Sequence, residues 1–103
     1  KCGPMITEEI KKQIPALYST ENVPTEDKVF VCKFFNPTGL GTWYIVEGDE
    51  QEDGDWLFFG LVDLFEKEWG YFTLNELKSV RGAFGLGIER DIHFNNEPAE
   101  RYA

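Results

Sequence analysis

Apolar residues along this chain fall into stretches with two different periods. Ile6, Ile10, Ile14 and Leu17 recur at helical spacing and form one stripe. Thr7 followed by Glu8 and Glu9 supplies the start: a hydroxyl accepts from free amides, and acids suit the positive end of the dipole. Lys11, Lys12 and Gln13 form the wet side, and Pro15, which has no amide, ends the helix. Residues 19–28 are polar, contain Pro24 and read as a connection. Residues 29–35, VFVCKFF, are β-branched and aromatic and predict a strand. Asn36-Pro37-Thr38-Gly39 is turn chemistry, and residues 42–47, TWYIVE, predict the second strand of an antiparallel hairpin.

Residues 47–55, EGDEQEDGD, predict an exposed acidic connection. Residues 56–64, WLFFGLVDL, are almost continuously apolar, the pattern of an interior strand covered on both faces. Gly60 within it marks a bulge or a close backbone approach. Residues 66–69 read as a loop or one helical turn, and residues 70–72 as a short strand. Thr73-Leu74-Asn75-Glu76 matches a capping box and opens a helix to about Val80, with Leu74, Leu77 and Val80 inward. GAFGLG, residues 82–87, is a glycine-punctuated loop. IERDIHF, residues 88–94, alternates as a half-buried strand does, and the polar residues 95–103 read as a frayed tail. The order predicts an α+β fold, a mostly antiparallel sheet of four to five strands with two short helices packed on one face. Residues 5–94 form a single domain in this reading. Lys1–Pro4, ahead of Met5, have the look of a tag remnant.

Length and composition narrow this further. At 103 residues, 42% hydrophobic and 16% aromatic, the chain can fill one modest, aromatic-heavy core. Cys2 lies near the terminus, and Cys32, alternating with apolar residues, reads as a buried small hydrophobe, so no disulfide framework is indicated. No signal segment and no membrane-spanning run is visible, which makes the cytoplasm the expected compartment. Nineteen acidic against ten basic residues leave a formal charge of −9. Such a surface repels nucleic acid and anionic lipid, and it favours a basic protein surface, nucleic-acid-binding proteins among them. Keeping the molecule dispersed is the plainer role for the same charge.

Three groups of residues invite a chemical reading. Asp49, Gln51, Asp53, Gly54 and Asp55 partly imitate a calcium loop, but its twelfth position, which requires a bidentate Glu, is Gly60. A solvated acidic turn fits better, or a presentation of Asp49, Glu50, Glu52, Asp53 and Asp55 to a basic groove. Arg90-Asp91-Ile92-His93 would place Asp91 and His93 side by side on a strand, beside Glu89, with Asp63 a further carboxylate if the strands are neighbours. That cluster could do acid–base work or hold a metal with help, although one His is too few for a metal site, and hydrogen bonding that fixes a turn is the structural alternative. Arg81 and Arg90 bracket the glycine-rich loop, which lacks the ending of a nucleotide site; an arginine paired with Asp63 or Asp91 is the expected arrangement. Trp43, Trp69 and Tyr71 are core residues or a binding patch. No serine or cysteine has a credible base beside it. No cofactor or metal is expected.

The run FGLVDL (59–64), then GYFTLNEL (70–77), then RGAFGLGIERDIHF (81–94), preceded by KFFNPTGLGTWYIVE (33–47), resembles domain-of-unknown-function family 2958. The resemblance covers residues 6 to 94, with four motifs in order. It carries over Trp43, Gly60, Asp63, Gly70, Tyr71, Leu74, Glu76, Leu77, Arg81, Arg90, Asp91 and His93. It implies a stand-alone bacterial domain carried on plasmids, phages or other mobile elements, and it implies no activity. The expectation is a non-enzymatic acidic interaction protein, in its sharpest form an inhibitor of a host defence or nucleic-acid-processing protein. It would be steered by the acidic loop with Glu66 and Glu68 and held by aromatic burial. The rivals are a small enzyme or metal-binding domain on Asp63, Asp91 and His93, and an accessory subunit of a larger complex.

Overall fold

The computed structural model describes residues 5–81 and 85–102; the proposed tag remnant with Cys2, and positions 82–84 of the glycine-punctuated loop, lie outside them. Helix α1 (Glu8–Gln13) begins at Thr7, whose hydroxyl accepts from the Ile10 amide, and gives way at Ile14 just ahead of Pro15. The apolar run that follows divides into two strands, β1 (Val29–Phe30) and β2 (Cys32–Phe35). Next come β3 (Thr42–Glu50), β4 (Trp56–Asp63) and β5 (Lys67–Thr73). Helix α2 (Leu74–Ser79) follows at once, opened by the capping box in which Thr73 and Glu76 serve each other's amides. Two short strands, β6 (Glu89–Arg90) and β7 (Glu97–Pro98), complete the set. The main sheet is antiparallel, in the order β5-β4-β3-β2-β6, and β1 pairs with β7 in a small sheet of its own. The fold is α+β.

Both faces of the main sheet are covered, and the alternation of each strand assigns its side chains to one face or the other. Cys32, Phe34, Trp43, Ile45, Trp56, Phe58 and Phe72 face the helices, meeting Leu74 and Leu77 of α2 and Ile14 after α1. Ile6 and Ile10 pack against the same cluster, so the two helices share one face as expected. Tyr44, Val46 and Leu61 point the other way, beside Trp69 of β5, and Phe30, Ala99, Phe94 and Tyr102 cover them. A sheet sandwiched in this manner needs apolar residues at nearly every position of its interior strands, which accounts for the unbroken run in β4. Gly60 leaves no room for a side chain between β4 and β3, since a Cβ there would lie 1.8 Å from the Tyr44 carbonyl oxygen. The register slips beside it: Ile45 faces Gly60, but Glu47 faces Phe59, leaving Val46 as the extra residue of a β-bulge.

Four expectations are corrected. The segment expected to fray from residue 95 carries β7, and Ala99 is wholly buried. The Ala99 amide donates to the Lys28 carbonyl at 2.8 Å, and the Tyr102 ring sits 4.7 Å from that of Tyr44. Its one apolar-plus-aromatic pair, Ala99 and Tyr102, is too sparse to register as a period. Residues 67–69, read as loop or helix, belong to β5, whose hairpin with β4 turns tightly over residues 64–66. The acidic connection is shorter than read, because β3 continues to Glu50. Finally, the strand expected over 88–94 is only two residues long: beyond Arg90 the chain turns, with the Phe94 amide donating to the Asp91 carbonyl.

Cys32 is buried as expected, and burial pushes its thiol up to about 11, against which the Arg90 guanidinium pulls down. Folding therefore favours the protonated thiol. Stability from this group is complete below pH 9 and is lost as pH rises through 11. The expected loss is roughly 2–3 kcal/mol across that window. Urea midpoints at pH 8 and pH 10.5 should diverge less in Cys32→Ala than in the parent. Truncation after Asn96, which uncovers Phe30 and Tyr44, should cost about 3 kcal/mol or more; an unchanged urea midpoint would contradict the second covering layer.

Candidate functional site

The residues singled out from sequence separate into three places. The first is the β3–β4 turn. Glu50, Glu52 and Asp53 are exposed there. Asp49 and Asp55 are half-buried and engaged: Asp49 accepts from the Leu17 amide at 2.9 Å, and Asp55 accepts from Trp56 and from Asn75 at the start of α2. Asp53 in turn accepts from the Asp55 amide. Three of the five carboxylates of this loop thus accept backbone amides, and two of these are half-buried, which the run of acidic letters did not distinguish. The second place is the opposite end of the same meander, where Glu66 and Glu68 are exposed at the β4–β5 hairpin. Strand β4 separates the two by roughly 25 Å, so they do not form one patch.

The polar cluster expected around His93 is not assembled as a strand face. Asp91 and His93 lie in the turn after β6, where the His93 amide donates to the Asp91 carboxylate at 3.0 Å and the His93 side chain is exposed. The other Asp91 oxygen is 3.7 Å from the Lys33 ammonium, and its amide donates to the Lys33 carbonyl. The aspartate therefore pins a turn. Arg90 donates to the Met5 carbonyl at 3.0 Å, and Arg81 donates to the carbonyls of Lys78 and Val80 at the end of α2. Arg81 forms none of the ion pairs made by the described residues. Asp63 lies across from Thr42 and Lys67 at the far end of β4 and helps raise the Tyr44 pKa, after burial. Among the described residues no three His, Cys, Asp or Glu side chains gather closely enough to hold a metal. Trp43 is core and Trp69 half-buried, whereas Tyr71 stands at the surface.

What the sequence reading missed is apolar. Phe65, at the tip of the β4–β5 hairpin, is 90% exposed. Leu64 beside it and Leu40, at 61%, are also exposed. Leu40 belongs to the β2–β3 turn, which lies at the same end of the sheet because Thr42 pairs with Asp63. A Cβ at Gly41 would lie 2.8 Å from the Trp43 ring and 3.1 Å from the Leu64 side chain, so the two turns come close together there. The signal was available, as Phe65 follows Asp63 and precedes Glu66 in what hydropathy alone treats as the fading end of a strand.

A further polar site, not singled out from sequence, centres on Glu47, which is only 3% exposed. Beyond Ile45 strand β3 has no β2 partner, and the chain after α1 covers that edge: the Gly48 amide donates to the Pro15 carbonyl. Glu47 accepts from the Tyr18 amide at 2.8 Å, from the Thr20 amide at 3.0 Å and from the Thr20 hydroxyl. The Lys28 ammonium, itself buried, donates to the Thr20 carbonyl at 2.7 Å and to the Thr20 hydroxyl at 3.2 Å. One hydroxyl thereby bridges a buried anion and a buried cation, so each charge is compensated. Tyr18 is held with φ at +68°, a region that non-glycine residues rarely occupy. Its ring projects outward, 6.4 Å from that of Tyr71.

Compared with protein-family models, residues 5–102 match the one described as a protein of unknown function (DUF2958). No curated protein and no solved structure matches.

Removal of the Glu47 carboxylate leaves the Tyr18 and Thr20 amides without their acceptor and takes away the anion joined to Lys28 through the Thr20 hydroxyl. Glu47→Ala should lower the unfolding free energy by about 3 kcal/mol. Glu50→Ala, three residues on and exposed, should stay within about 0.5 kcal/mol. Urea denaturation of the two variants checks the contrast.

Proposed function

The chain belongs to the DUF2958 family, and from that premise we propose that it is a non-enzymatic interaction protein that docks on a basic protein surface through the tip of its β4–β5 hairpin. The observation that carries this reading is the solvent-exposed Phe65 with Glu66 and Glu68 directly behind it. A benzyl side chain held on a tight turn has little freedom to lose on contact, and aromatic anchors of this kind dominate interface energetics. Leu64 and Leu40 enlarge the apolar contact, and the flanking carboxylates disfavour acidic partners.

Long-range attraction comes from the whole −9 charge, including Glu50, Glu52 and Asp53 at the far turn. Such a field accelerates encounter with a positive surface and repels nucleic acid itself. A nucleic-acid-binding protein, which must carry a basic face, is the partner class this favours. Inhibition of such a protein on behalf of a mobile element follows if the contact occludes that basic face.

The test is capture from the native host, with the parent and Phe65→Ser compared side by side. Phe65 is nearly free of packing, so Phe65→Ser should melt within a few degrees of the parent. It should lose the partner by about thirtyfold or more. Glu66→Lys with Glu68→Lys should slow association and flatten its dependence on salt. A partner bound equally well by Phe65→Ser, at low and high ionic strength alike, would contradict the proposal.

A further inference from the structure

A cavity of about 490 Å³ opens between the chain after α1 and the outer face of β4 and β5, lined among others by Tyr18, Glu21, Lys28, Glu47, Phe59 and Tyr71. Its size is that of a small-ligand or side-chain pocket. Its walls are aromatic faces set at angles: Tyr18 and Tyr71 are inclined at 50°, and Phe59 and Tyr71 at 55° with centroids 5.1 Å apart. Tyr18 and Tyr71 remain 58% and 52% exposed. The floor already carries a cation on an aromatic surface, since the Lys28 ammonium lies 5.9 Å from the Phe59 centroid. That ammonium is committed to Thr20, and the Glu47 carboxylate to Tyr18 and Thr20. Glu21, exposed at the rim, forms no ion pair among the described residues.

We propose that this pocket receives the guanidinium of an arginine side chain, laid against the exposed rings of Tyr18 and Tyr71 and paired with Glu21. Angled π-faces attract cations, a guanidinium lies flat against such a face as an ammonium does not, and the carboxylate completes the charge match. The Tyr71 phenol is pushed up by desolvation, then by Tyr18, with which it also hydrogen-bonds, and further by Glu47 and Glu21. The inference rests on the preceding reading only in taking the arginine to come from the same basic partner; Tyr71 lies well along β5 from Phe65, and the two contacts are separable.

The experiment is a titration of the full chain with N-acetyl-arginine amide, followed by NMR, with the uncharged citrulline analogue as control. Saturable shifts at Tyr18, Val23 and Tyr71 with the arginine probe, and none with citrulline, are expected. Tyr71→Leu should weaken the arginine probe by roughly two- to fivefold, while Tyr71→Phe, which keeps the ring, should hold it. Glu21→Gln should weaken it comparably. Equal shifts with citrulline, or non-saturating shifts spread over surface carboxylates, would overturn the assignment. Phe65→Ser should leave this titration unchanged, so loss of the hairpin contact and loss of the pocket are read independently.

Discussion

A carboxylate taken out of water must find donors on nearly every lone pair, and in this protein the one at Glu47 finds them in a distant segment of chain. The arrangement begins with the bulge at Val46, which brings Glu47 opposite Phe59 and so onto the face away from the helices. From there it holds the amides of Tyr18 and Thr20, and the covering of the β3 edge depends on it. Through the Thr20 hydroxyl it reaches Lys28, whose own carbonyl accepts from Ala99. Sheet, post-helix loop and C-terminal cover are thereby joined by a single polar chain. The bulge in turn sits where Gly60 allows β3 to come closer than any side chain would permit.

Much of the architecture was legible because it rests on local periodicity. The helix ends at Thr7, Pro15 and Thr73, the β2–β3 hairpin and the two-faced character of β4 all follow from spacing and from individual cap residues. The close-approach reading of Gly60 also holds, whereas the bulge lies across from it in β3, at Val46. What could not be read is what long-range contact decides. Ala99 is buried because β7 pairs with β1, a fact absent from the composition of the last residues. Glu47 opens an acidic run yet is nearly inaccessible, because solvation depends on what lies across from a residue and not on its neighbours in sequence.

The candidate site illustrates the same divide. Asp91 and His93 were expected to share a strand face, but the strand stops at Arg90 since the carboxylate of Asp91 does better accepting from an amide two residues on than standing in a ladder. Asp49 and Asp55 were read as display and are partly scaffold. By contrast Glu50, Glu52, Asp53, Glu66 and Glu68 are exposed. They sit at two ends of one meander, which separates attraction at a distance from contact at a point. A field needs only the sum of charges; a contact needs a rigid apolar feature, and the hairpin turn provides it at Phe65.

The pairing of β1 with β7 also sets the order in which the molecule can be made. The hairpins β2–β3, β3–β4 and β4–β5 close over short loops, and the helix face can condense on them early. The other face cannot, because Phe30 waits for Ala99 and Tyr102 from the far side of the described chain. Until they arrive, Tyr44, Val46 and Leu61 present a bare aromatic-aliphatic surface to whatever is nearby. The nascent domain is therefore most vulnerable to self-association in that interval, and its high negative charge, by keeping copies apart, protects it when the second layer is still missing.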